Sequence, residues 1–177
     1  MFNVYFLSQL LVIIAYIICG IAFLQKSKIK ILILVSIFNI LILIQYSLLN
    51  ATMGIIANTI NIIRNAIFII NLKLNKPNSK ILLIFFFLST ITLTLIFYTT
   101  PIDIFPCIIA LTGTFSYWIN NTKVLRICNV FCSLSYIIYA LPLKSYITII
   151  AEAYLIITTI IGYIRHEKNN LKSIMKF

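Results

Sequence analysis

Seven apolar stretches, each near twenty residues long, fill this chain almost end to end, at about 2–24, 31–49, 52–72, 81–99, 104–120, 124–141 and 145–164. An α-helix rises ~1.5 Å per residue, so roughly 20 residues cross the ~30 Å hydrocarbon core of a bilayer. The turns between the stretches are short. The longest polar ones are LKLNKPNSK at 72–80 and the tail from Arg165, and neither can form a soluble domain. Charged residues make up 10% of the chain and hydrophobic residues 62%, whereas a soluble domain carries about 25% charged residues. A globular surface could not be covered with so few polar groups. The fold class implied is an all-α integral membrane protein with seven transmembrane helices, forming a single transmembrane domain over 1–177.

Other classes fail on pattern. An outer-membrane β-strand alternates apolar and polar residues over about 10 positions, and runs such as IKILILVSIFNILILI do not. A signal peptide carries its basic residues before the apolar run. Here Lys26, Lys28 and Lys30 follow it, and Ile18 stands before Cys19 where a lipoprotein site needs a small residue, so the first stretch is expected to be a retained helix. The four cysteines, Cys19, Cys107, Cys128 and Cys132, all fall within spans. Cys128 and Cys132 share a helix face, but no further cysteine or histidine lies near them in sequence to complete a tetrahedral site. Neither disulfide, metal nor cofactor is expected.

The net charge of +11 could point to nucleic acid, but its distribution points to topology. Lys26, Lys28 and Lys30 follow the first helix, Lys73, Lys76 and Lys80 the third, Lys123 and Arg126 the fifth, and Arg165, Lys168, Lys172 and Lys176 the seventh. Twelve of the 14 basic residues thus fall at one end, leaving Lys144 at the other and Arg64 within a helix. The positive-inside rule makes the basic end cytoplasmic and places the N-terminus and Asp103 outside. Membrane lipid is the expected partner of these loops, not nucleic acid.

Sliding the chain on itself by 93 residues aligns helices 1–3 with helices 5–7: Gly20 meets Gly113, Lys30 meets Lys123, Phe38 meets Phe131, Tyr46 meets Tyr139, and Thr52 meets Ser145. Helix 4 has no counterpart. Two odd-numbered units joined directly would face opposite ways, and one linker helix restores their parallel orientation. The expected layout is 3+1+3, with a first unit over 2–72, a linker helix at 81–99, a second unit over 104–164 and a basic cytoplasmic tail at 165–177.

The polar residues inside the spans fall in stripes. Gly54, Asn58, Asn61 and Asn65 lie on one face of helix 3, and Thr148, Glu152, Leu155 and Thr159 on one face of helix 7. Ser36, Asn39, Leu43 and Tyr46 form the corresponding line on helix 2, with Asn129, Cys132, Tyr136 and Tyr139 on helix 6. Amides in lipid need partners, so these faces should turn toward protein or water. Helix 4 has only Ser89 and threonines, which can bond their own backbone, and should be peripheral.

Glu152 is one of only three acidic residues. A charge at mid-membrane costs about 2.5–3.5 kcal/mol on insertion scales. Glu152 sits ~10 Å from the outer start of helix 7 and Arg64 ~18 Å from that of helix 3, within reach of one arginine side chain. Two readings stay open and can coexist: an Arg64–Glu152 pair locking the halves together, or a Glu152 that contacts solute or a proton in a central cavity. Trp118, Tyr117 and Tyr163 fit an aromatic belt at the cytoplasmic ends better than a stacking site.

The segments NTINIIR at 58–64, WINNTKVLR at 118–126, Ser145 through Glu152, and IIGYIR at 160–165 resemble the bacterial inner membrane protein family typified by YgjV, over about residues 8–165. The resemblance implies a bacterial inner-membrane location but carries no activity. The architecture it implies is similar to the SWEET, SemiSWEET and PQ-loop group, whose sugar transporters line a pocket with asparagines on helices 3 and 7. Asn58 and Glu152 stand about where those would be. The chain departs from that group in having no Pro–Gln dipeptide and no proline in its first two helices.

The function expected is passage of a small polar solute, a sugar among the options, by alternating access. Asn58, Asn61, Arg64 and Glu152 form the expected pocket, joined by Tyr46 and Tyr139. The rival is a non-transporting receptor, assembly or partner protein whose polar residues only pack helices. An enzyme is not expected, because no nucleophile–base pair, phosphate loop or metal set can be assembled. Homo-oligomerisation is left open.

Overall fold

The computed structural model describes residues 4–50, 52–98, 100–142 and 146–168. Lys144, Ser145, Lys172 and Lys176 lie outside them, as do the side chains of Thr52, Asp103 and Lys168. Among the described residues seven α-helices follow one another: α1 (Val4–Phe23), α2 (Lys28–Leu48), α3 (Thr52–Lys73), α4 (Lys80–Phe97), α5 (Ile104–Trp118), α6 (Thr122–Ala140) and α7 (Tyr146–Tyr163). A 3₁₀ turn over Pro101–Asp103 leads into α5, and α7 widens into a π turn over Ile164–Lys168. Each helix starts and stops within one turn of its expected place.

Local chemistry sets these limits. The Ser79 hydroxyl accepts from the Ile81 N–H at the start of α4, and Asn121 Oδ1 accepts from Lys123 N at 2.9 Å at the start of α6. Such caps satisfy N–H groups that a helix start leaves without partners. At the end of α3, Asn75 turns left-handed with φ of 53°, while Lys76 N bonds back to Asn71 O at 2.9 Å. Asparagine tolerates that conformation, and Pro77 then forbids any continuation.

Six of the helices are long and apolar enough to cross a membrane. The seventh, α5, has 15 residues, fewer than the 104–120 stretch suggested, and covers ~22 Å at ~1.5 Å per residue. It stops early because the chain reverses at once: Asn121 N bonds Ile119 O at 2.9 Å, and the Asn121 side chain already caps α6.

Burial is inverted relative to a soluble protein. Ile13, Ile17 and Ile21 of α1 and Ile150, Ile157 and Ile161 of α7 point outward, whereas Ser8, Asn65, Arg126 and Thr159 are fully buried. Lipid favours this arrangement, since acyl chains solvate isoleucine and leave polar groups to find partners inside.

Short turns make successive helices antiparallel neighbours. α2 packs between α1 and α3, α6 packs between α5 and α7, and α1 closes against α7. On the opposite side α3 and α5 meet only sparsely, and α4 lies over that gap, packed mainly on α5. The helix expected to be peripheral is largely exposed, with Phe86 buried. Its Ser89, Thr90 and Thr94 hydroxyls donate to carbonyls one turn back at 2.8, 2.9 and 3.0 Å.

The α1–α7 contact is tight because two glycines allow it. A Cβ on Gly20 would run into the Tyr154 ring, and one on Gly162 would run into the Phe23 carbonyl oxygen. Gly113, which the 93-residue offset aligns with Gly20, has open space instead.

Candidate functional site

The helices surround a cavity of about 640 Å³, lined from all seven of them. Asn58, Asn61, Arg64, Glu152, Tyr46 and Tyr139, the six residues singled out in the sequence, all line it. Of the four polar stripes, the one on α6 faces the cavity throughout. On α7, Thr148, Glu152 and Leu155 line it while Thr159 is buried beside them, taking a bond from Asn129 Nδ2 at 2.8 Å. The α2 stripe is rotated from its expected line. Asn39 and Tyr46 face the cavity, but Ser36 donates to Leu32 O and Leu43 is replaced by Ile42 and Gln45.

Position along each helix gives the cavity a polarity. Gln45, Gly54, Phe97, Pro106 and Thr148 lie near the helix ends on the N-terminal side, and Arg64, Tyr117 and Asn129 form its deep floor. Beyond the floor, toward the basic end, Leu32, Phe68 and Phe86 form one packed cluster, and Phe23, Ile31 and Leu125 belong to another.

Glu152 is 3% exposed and accepts from the Tyr16 hydroxyl at 3.0 Å, with the Ser133 hydroxyl also bonded to it. Tyr16 is itself held by the Phe38 ring, edge to face at 5.6 Å between centroids. A single acid of α7 is therefore solvated by α1 and α6 together.

Arg64, 4% exposed, has a different shell. Its Nη1 donates to Thr114 Oγ1 at 2.7 Å, Nε and Nη2 donate to Asn65 Oδ1 at 3.3 and 3.2 Å, and its guanidinium carbon stands 5.1 Å from the Tyr117 ring centre. Cation–π contact of this kind is worth ~0.5–2 kcal/mol. The Thr114 hydroxyl proton goes to Ala110 O, which leaves its lone pair for the arginine. The Arg64–Glu152 pair weighed from the sequence does not form. The two groups take separate partners on different helices.

Two cations counted as loop charges are also buried. Lys28, 7% exposed, donates to Ile119 O at the end of α5. Arg126, fully buried, donates to Phe23 O at 3.3 Å and to Gln25 O at 2.6 Å, and pairs with Glu167. α2 thus reaches the carbonyl end of α5, and α6 that of α1. Glu167 also accepts from Thr122, and the His166 ring bonds Leu24 O at 2.9 Å. Trp118, expected in an aromatic belt, donates to the Asn78 and Ser79 carbonyls at 3.1 Å while Asn78 returns a bond to Trp118 O at 2.8 Å.

Tyr16, Ser133, Thr114, Tyr117 and Gln45 complete the site and were not singled out as members of it. Tyr16 and Gln45 have no polar neighbour at helical spacing, while Ser133, between Asn129 and Tyr136 on α6, and Thr114 with Tyr117, three apart on α5, carried a spacing signal that could have found them. The cysteines are free, with Cys19 and Cys132 buried.

No curated protein and no solved structure matches the chain. The family model of Imp-YgjV, described as bacterial inner membrane protein, matches residues 6–170. A polar-cored bundle of membrane-length helices agrees with that description, and the chain belongs to the Imp-YgjV family of bacterial inner membrane proteins.

Proposed function

We propose that this protein passes a small polar solute across the bacterial inner membrane by alternating access and performs no chemistry on it. The observation that carries the reading is the cavity of about 640 Å³ with amides, phenols, a guanidinium and a carboxylate on its wall. Pockets for small ligands span about 300–1,000 Å³. Intramembrane ionisable groups that face a cavity mark solute or ion paths more often than packing.

In this reading α1–α3 and α5–α7 are the two units of a SWEET-like arrangement, and α4 is the linker. With the basic end in the cytoplasm, the cavity faces outward and the clusters beneath Arg64 keep the inner side shut. Lys28 and Arg126 fasten the halves at that inner end, and their bonds are the ones an inward-facing state must break. Asn58 and Asn61 supply amides to the solute, with Tyr46 and Tyr139 above them.

Purified protein in liposomes tests this with a panel of sugars, amino acids and carboxylic metabolites. Saturable uptake of one class above protein-free liposomes, reduced by Asn58→Leu, is the expected result. No uptake across the panel overturns the reading. The rival, a non-transporting membrane component, is favoured by one observation: the Asn58 amide donates to Gly54 O on its own helix at 2.9 Å.

A further inference from the structure

We propose that the solute is an amino-acid-like zwitterion, with its carboxylate taken by Arg64 and its ammonium by Glu152. This rests on the solute-passing reading above and names the chemistry of that same cavity.

The argument starts from what each charge lacks. Arg64 lines the cavity and has for partners a threonine hydroxyl, one amide oxygen and the face of a tyrosine ring. Glu152 lines the same cavity and has two hydroxyl donors, from Tyr16 and Ser133. Among the described residues neither has a partner of opposite charge. A buried charge needs both hydrogen bonds and charge compensation, and hydroxyls supply only the first.

The surroundings of Arg64 are short of acceptors. A guanidinium has five N–H donors, and the bonds around Arg64 use three of them. Its neighbour Asn65 is fully buried and spends its carbonyl oxygen on the arginine, which leaves Asn65 Nδ2 as a buried donor without an acceptor. Asn65 lies behind the cavity wall, but the guanidinium is on it, and its two spare N–H groups call for an anion with more than one oxygen. A carboxylate fits the fork of an arginine in that way.

The acid end calls for the opposite. Glu152 is an acceptor whose present donors carry no charge, and the Tyr16 and Tyr136 rings on the same wall suit an ammonium through their π faces. A neutral sugar would leave both charges uncompensated, and a simple carboxylate would leave Glu152 so. A small molecule with both signs compensates both. Arg64 and Glu152 differ in depth by roughly 9 Å at the backbone, counted at ~1.5 Å per residue from the N-terminal-side ends of α3 and α7. Both side chains line the same cavity, so a molecule lying along it meets the two charges in turn.

The test uses the full chain in detergent, titrated with alanine, beta-alanine and gamma-aminobutyrate, then with propionate, ethylamine and glucose. Ligand-induced thermal stabilisation gives the affinities, and liposome uptake is run on the same compounds. At least one zwitterion should bind about ten-fold more tightly than either propionate or ethylamine, equivalent to ~1.4 kcal/mol. Arg64→Gln should erase its advantage over ethylamine, and Glu152→Gln its advantage over propionate. If either variant fails to fold, the wild-type comparison with the two half-molecules still decides. Propionate binding as tightly as the zwitterions, or glucose binding in preference to them, overturns the inference while leaving solute passage standing. No binding by these compounds together with no uptake across the wider panel overturns both.

Discussion

Replacing Arg126 with methionine should loosen the basic end of the molecule more than any other single loss of charge. The side chain is fully buried and donates to Phe23 O, to Gln25 O and to Glu167, whose own side chain is 17% exposed. Hydrogen bonds to charged groups contribute about 1.5–3 kcal/mol each, and breaking a buried pair from one side costs about 3–5 kcal/mol. Water reaching Glu167 and Gln25 lowers the total, so ~3–5 kcal/mol is expected rather than the sum. For a chain of this size each kcal/mol moves Tm by about 2–4 °C, which gives a drop near 10 °C. The single tryptophan, Trp118, lies at the same end and bonds the α3–α4 turn, so its fluorescence during a thermal ramp reports the change directly. Lys123→Gln, an exposed charge three residues away, is the control and should stay within ~0.5 kcal/mol of wild type. Adding Glu167→Gln to the methionine variant should recover part of the loss, because the carboxylate no longer lacks its partner. An Arg126→Met melt within about 2 °C of wild type would refute the idea that these Arg126 bonds hold the basic end together.

Two further outcomes follow from the packing. Gly162→Ala pushes a methyl group into the Phe23 carbonyl and should cost ~1–3 kcal/mol, whereas Gly113→Ala meets nothing within 4 Å and should be neutral or mildly stabilising in the same melting assay. On a background with all four native cysteines replaced, a cysteine at position 58 should react with a membrane-impermeant thiol reagent added from the N-terminal side of the bundle. A cysteine at lipid-facing position 150 should not, and equal protection at both positions would mean that the cavity is sealed.

Much of the fold could be read from the chain, because a bilayer leaves few options. Apolar runs of membrane length must be helices, and Asn75, Pro77, Ser79 and Asn121 mark where they turn. Much of the cavity wall was legible for a related reason. Asn58 and Asn61 on α3, and Asn129, Cys132 and Tyr136 on α6, recur at helical spacing, and lipid leaves such faces nowhere to go but inward. What stayed hidden depends on pairs of helices rather than on one. The Tyr16–Glu152 bond joins residues 136 apart in sequence, and nothing around Tyr16 hints at its partner. Arg126 and Lys28 read as loop charges because they neighbour exposed lysines, and only the meeting of α6 with the end of α1, and of α2 with the end of α5, buries them. The Arg64–Glu152 pairing failed for a geometric reason: a depth gap that an arginine can span does not bring side chains together when Thr114 and Asn65 supply the arginine with nearer acceptors.

Lys28 and Arg126 grip main-chain oxygens, which every amino acid supplies. Gln25 and Ile119, though they anchor the fastening, can therefore be exchanged for other residues without undoing it, while the two cations opposite them cannot. A saturation library scored for folded protein should show that lopsided tolerance, permissive on the receiving side and strict on the donating side.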